Sequence, residues 1–174
     1  MNTRIQSKPS DPIAKLEKGF SLIELLIVVA IILIIAAIAI PNLVRSKIAA
    51  NEAAAVSAIR SITTAETTYA STYGVGYAVL PVLGGADPCV AGVATACILD
   101  PIVSAGSKSG YNLSAAPGGA GNITFTGGAV PIMVGISGQR TFCSDETGVI
   151  HFDASGAAAP VTDVGCQALP LIVQ

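Results

Sequence analysis

Tryptophan is absent from the 174 residues, histidine occurs once, and only 11% of positions are charged. Each shortage removes a class of function. Of nine Lys and Arg, four precede residue 20, while Lys108 and Arg140 stand isolated further on. Binding to a phosphate backbone needs clustered cations, so a general nucleic-acid surface is not expected. A single histidine leaves an enzyme one imidazole base. That residue, His151, lies in a run, 149–153, that alternates as a strand does. Val149, His151 and Asp153 share one face and Ile150 and Phe152 the other, which reads as core. His151 is therefore expected to be an exposed strand residue, not a general base. Ser144, Asp145 and Glu146 beside it are residue types that hairpin turns favour for backbone reasons. The four cysteines, Cys89, Cys97, Cys143 and Cys166, lack zinc-site spacing, and other ligands are scarce. Asp145, Glu146 and Asp153 do not follow a recognised calcium loop. No catalytic activity, metal or cofactor is predicted.

Glycine is missing from Phe20 to Tyr73, and between Phe20 and Ile40 the only charge is Glu24. At ~1.5 Å per residue, that apolar run is long enough to cross a ~30 Å hydrocarbon core as a helix. A lone carboxylate there costs ~2.5 to 3.5 kcal/mol at mid-bilayer, less near the interface. No basic residue lies between Phe20 and Pro41, so its partner must come from elsewhere. With Pro41 as the one breaker, the pattern predicts a single helix of ~54 residues. Beyond Pro41, Ile48, Ala55, Ile59, Ile62, Tyr69 and Tyr73 draw one apolar face. Arg45, Lys47, Asn51, Glu52, Ser57, Arg60 and Thr64 are expected on the opposite, polar side. Pro41 forfeits its bond to Ala37 and marks a kink or hinge.

The run Lys18-Gly19-Phe20-Ser21-Leu22-Ile23-Glu24-Leu25, followed by the apolar stretch and Pro41, resembles the prepilin signature of type IV pilins and type II secretion pseudopilins. The resemblance is specific over roughly residues 15–73. It implies a prepilin peptidase that cuts between Gly19 and Phe20 and N-methylates Phe20. It implies assembly through Phe20, Glu24 and Pro41, with partial melting before the proline in the filament. Expected partners are copies of the chain in a helical homopolymer, the peptidase, an inner-membrane platform protein, assembly and retraction ATPases, and membrane lipid before assembly. A secretory signal cut near Ala37-Ile38-Ala39 is the rival reading, but the apolar run is too long for one and contains Glu24. An uncleaved membrane anchor is the other.

Residues 1–19 are thus expected to be a leader, 20–40 a transmembrane and polymerisation helix, 41–73 its amphipathic half, and 74–174 a head. Four cations against two acids in the leader keep it cytoplasmic by the positive-inside tendency, with the head in the periplasm and the assembled pilus outside. The expected function is a pilus subunit for motility, adhesion or DNA uptake. A type II secretion pseudopilin is the alternative within the family, disfavoured by the cysteines, the long Ala/Gly-rich loops and the missing tryptophan. A membrane-anchored periplasmic binding module is the alternative from another class.

Beyond Gly74, breaker clusters fall at Gly84-Gly85, Pro117-Gly118-Gly119 and Gly127-Gly128. Strands are predicted at 111–114, 122–126, 132–136, 140–144 and 149–153, with residues 145–148 as a hairpin turn. The fold class is α+β, a long N-terminal helix packed on a small antiparallel sheet in the pilin ladle arrangement. A head this small calls for staples. In an oxidising compartment the four cysteines read as two disulfides, with three pairings possible. The preferred pairing is Cys89 with Cys97, closing the loop after the helix, and Cys143 with Cys166, similar to the C-terminal disulfide loop of many major pilins.

Overall fold

A computed structural model describes residues 19–157 and 162–172. The chain divides into two units, Met1–Ile40 and Pro41–Gln174. Helix α1, Leu22–Tyr73, contains Pro41 and contributes to both. It stops at Gly74, which has φ +65° and donates its N–H to Ala70 O at 3.0 Å, a left-handed cap that a side chain would strain.

The second unit is α+β. Its sheet is an antiparallel meander in the order β1 to β5: Ser107–Lys108, Tyr111–Gly118, Thr124–Pro131, Thr141–Asp145 and Ile150–Asp153. Short helices α2 (Leu80–Leu83), α3 (Pro101–Ser104) and α4 (Asp163–Gln167) complete it. Ile59 and Ile62 of α1, Leu83, Val103, Tyr111, Leu113 and Phe142 form one core. Both edges of the sheet are protected from pairing with another chain. β1 is two residues long and carries Lys108, while β5 is covered by the C-terminal segment, through Phe152 N to Pro170 O and Ile172 N to Ile150 O.

Three strand expectations need correction. β2 runs on through Pro117-Gly118, a break in the expectation, four residues past its expected end. The segment 132–136 is not a strand; it belongs to a loop joining β3 to β4. Its β-branched run misled because those side chains face outward rather than into the core. β3 instead runs through Gly127-Gly128, where a break was expected. A Cβ on Gly127 would stand 3.6 Å from Ile62 Cγ2, an ordinary van der Waals contact. The Asp145 turn is present, closed by Gly148 N to Asp145 O at 3.0 Å.

The cysteines form Cys89–Cys97 and Cys143–Cys166. The second joins β4 to α4, and with the tail it covers the outer side of β5. His151 is consequently buried, contrary to expectation, with Nδ1 2.7 Å from Leu169 O. Ile150 and Phe152 are only half-buried. Alternation identifies two faces of a strand, but the C-terminal tail decides which one is covered.

The helix face also differs from expectation. Ala55, Ile59, Ile62 and Tyr69 are buried, Ile48 and Tyr73 half-buried, and Arg45, Lys47, Ser57, Arg60 and Thr64 exposed. Glu52, however, turns inward. Its Oε1 accepts from Gln139 N and Arg140 N at 3.0 and 3.1 Å, and its Oε2 from Arg140 Nε and Nη2 at 3.0 and 2.7 Å. These four charge-assisted bonds offset the cost of burying the carboxylate.

Glu66, about four turns further along the same face, is fully buried. Oε2 accepts from Ala78 N at 2.9 Å, while Oε1 has no protein partner. Burial pushes its carboxyl from 4.5 up to about 7, against the lowering effect of the Ala78 bond. The folded chain therefore holds this proton to higher pH than the unfolded chain. Stability from neutral Glu66 is complete below about pH 4.5 and is lost as pH rises through about 7. Glu66→Gln is expected to match the native chain near pH 4.5 and to exceed it at pH 8 by about 3 kcal/mol. Urea unfolding of both chains across that range checks this; parallel curves would refute it.

Candidate functional site

The residues singled out at the N-terminus sit where the backbone changes character. Gly19 and Phe20 precede the helix, and Ser21 O accepts the first helical bond, from Leu25 N at 3.1 Å. Ser21 and Glu24 stand three apart, as in a capping box, and Glu24 lies in the first turn, where the helix dipole favours an anion. Cleavage after Gly19 would place a cationic amine one residue before that cap.

Gly19 has no structural reason to be glycine within the folded chain. A Cβ built there meets nothing within 4 Å, and its φ is not in the left-handed region. Phe20 is 78% exposed. From Phe20 to Ile40 almost every side chain is exposed, including eleven large aliphatics from Ile23 to Ile35. Water would not tolerate such a surface uncovered, so lipid or other helices must cover it. By length and composition the helix can cross a membrane. Residues 1–18, where the rest of the expected leader falls, lie outside the described residues.

Residues 14–40 match the prokaryotic N-terminal methylation motif. With the long apolar helix, this motif fits a type IV pilin or pseudopilin, a structural type of protein. No curated protein and no solved structure matches the chain. The methylation motif contains Gly19, Phe20 and Glu24 and stops one residue short of Pro41, so it covers the exposed apolar half of α1 and none of the head.

In the head, Asp145, Asp153 and His151 are held in structural bonds, whereas Glu146 Oε2 is buried with no protein partner. Asp145 is buried, with Oδ1 accepting from Thr147 N at 2.9 Å and Oδ2 from Gln167 Nε2 at 2.6 Å. Burial alone would raise its carboxyl, but the bonds from Thr147 and Gln167 and the proximity of His151 together bring it below the ordinary value. Asp153 accepts from Ser155 N and Oγ at 2.9 and 2.7 Å. Among the described residues, no three His, Cys, Asp or Glu side chains gather as metal ligands would. Of the two carboxylates that matter most to the head, Glu52 is expected on the polar side and proves buried, and Glu66 is not singled out by the sequence reading. A signal was available: 52, 55, 59, 62, 66 and 69 step by threes and fours along one helix face.

Proposed function

We propose that this chain is the subunit of a type IV pilus, cleaved between Gly19 and Phe20, methylated on Phe20 and polymerised through the first half of α1. The observation that carries the reading is a fully exposed apolar helix with one carboxylate in its first turn, inside the methylation motif. Gly19 supports it, because a glycine with no role in the fold is explained by a protease that must accommodate the chain there. In the stack, the Phe20 amine of one subunit meets Glu24 of its neighbour. Out of water, an unpaired member of that pair is strongly disfavoured, so the contact selects subunits in correct register. Pro41 lets the helix loosen at the membrane exit.

The partners of this proposal are the prepilin peptidase, an inner-membrane platform protein and assembly ATPases. The precursor sits in the inner membrane with its head in the periplasm, and the filament reaches the outside. Two disulfides suit that oxidising route. Motility, adhesion and DNA uptake are the uses open to such a filament. Mass spectrometry of material sheared from native cells is the test. Abundant chain starting at methylated Phe20 is the expected result. Processed chain confined to the envelope would make it a pseudopilin, and a start at Ile40 would overturn both readings.

A further inference from the structure

Four large apolar side chains crowd the β3–β4 loop and point outward: Ile132, Met133, Val134 and Ile136 are 55%, 53%, 47% and 60% exposed. The loop is well ordered by its own bonds. Met133 N donates to Ser137 Oγ at 3.0 Å, Ser137 N to Met133 O at 2.9 Å, and Gly135 N to Gly138 O at 2.8 Å. Its base is fastened to the helix by Asn51 Nδ2 to Ser137 O at 2.8 Å and by the Glu52 bonds to Gln139 and Arg140. Tyr111 closes the other side, donating its hydroxyl to Arg140 O at 2.8 Å, and a Cβ on Gly138 would collide with its ring. An apolar tip held this firmly gains nothing from the core, so its cover must come from outside.

We propose that this loop docks on the surface of an anionic bilayer before assembly, burying the four side chains at the level of the headgroups. The proposal rests on the reading of residues 20–40 as a membrane anchor. Chain connectivity supports lipid as the occupant. Lys47 lines the same groove as Ile136 and Ser137, and it is seven residues beyond Ile40, hence within about 25 Å of it in any conformation. Charge supports it too. Arg45 and Lys47 are exposed, and the one ion pair among the described residues, Arg140 with Glu52, does not involve them. A cation beside an apolar tip, as Lys47 stands beside Ile136, is the pattern that anionic lipid surfaces attract.

The absence of native tryptophan makes the test direct. Full-length chains carrying Ile132→Trp, Val90→Trp or Ile34→Trp would be reconstituted at high lipid excess. The vesicles would be phosphatidylethanolamine with phosphatidylglycerol, or phosphatidylcholine alone, each with and without brominated acyl chains. Val90, 84% exposed in the Cys89–Cys97 loop, reports an aqueous site. Expected is a blue-shifted Ile132→Trp emission that bromolipid largely quenches, more strongly with phosphatidylglycerol, while Val90→Trp stays unquenched. Ile34→Trp quenched with Ile132→Trp behaving like Val90→Trp would overturn the docking and leave the anchor intact. Ile34→Trp unquenched would overturn the anchor and the docking with it. A blue shift of Ile132→Trp that appears only at high protein density, without bromolipid quenching, would assign the loop to a second copy and refute lipid docking.

Discussion

Replacing Glu24 with alanine is expected to leave processed, membrane-inserted chain that no longer yields filaments. The variant keeps the glycine and phenylalanine at the cut, so N-terminal mass spectrometry should still find a start at methylated Phe20. What it would lose, on the proposed assembly, is the carboxylate that the neighbour's amine meets. Removing one partner of a charge pair held out of water costs about 3 kcal/mol or more, roughly a 100-fold weaker contact at each subunit added. Repeated along a filament, a deficit of that size suppresses polymer almost completely. The alternative role for Glu24, completing the cap of α1, involves about 1 kcal/mol and affects the helix rather than the polymer. Comparing sheared with membrane-bound chain separates the two. Sheared filament at native abundance would eliminate the assembly role and favour an anchored binding module.

Glu52→Ala should destabilise the unit from Pro41 onward strongly, by about 3 kcal/mol in urea unfolding. The alanine removes all four acceptor contacts to Gln139 and Arg140 at once and leaves two backbone N–H groups at the loop base without their partner. It also releases a guanidinium that lies 5.4 Å from the ring centres of both Phe142 and Phe152. Arg140 is 41% exposed at its side chain, so water can recover part of its solvation, which keeps the figure near the low end for buried pairs. Glu52→Gln retains one acceptor oxygen and should fall between alanine and native. A loss below about 1 kcal/mol for the alanine variant would mean that the pair is a surface contact with little energetic weight.

The long apolar helix was legible from residue order alone because its signals are one-dimensional. A bilayer reads length and apolarity, a helix reads the absence of glycine and proline, and processing reads a short contiguous motif. Leu22–Tyr73 therefore lies within two residues of its predicted start and reaches its predicted end. The α+β class followed in the same way, from breakers separating β-rich runs. In the head, legibility fell where a residue's fate depends on what arrives from a distant part of the chain. Gly127-Gly128 carries the local signature of a turn, yet pairing with β2 on one side and β4 on the other makes it the middle of β3. Residues 132–136 carry the local signature of a strand, yet they form an exposed loop.

The same division explains the buried polar groups. Helical spacing alone assigns Glu52 and Glu66 to the apolar stripe, but a carboxylate's chemistry argues for the opposite side. Only tertiary structure resolves the conflict, by bringing Arg140 to Glu52 and the Ala78 N–H to Glu66. His151 was assigned to the exposed face until the tail tied down by Cys143–Cys166 covered it. Sequence by itself determined the apolar helix, its motif and the class of the head, since each depends on near neighbours in the chain. Tertiary structure decided which polar groups are buried, which apolar groups stay exposed and where the sheet turns, because those outcomes depend on partners more than 50 residues away for Glu52 and Ile62, and on the C-terminal tail for His151.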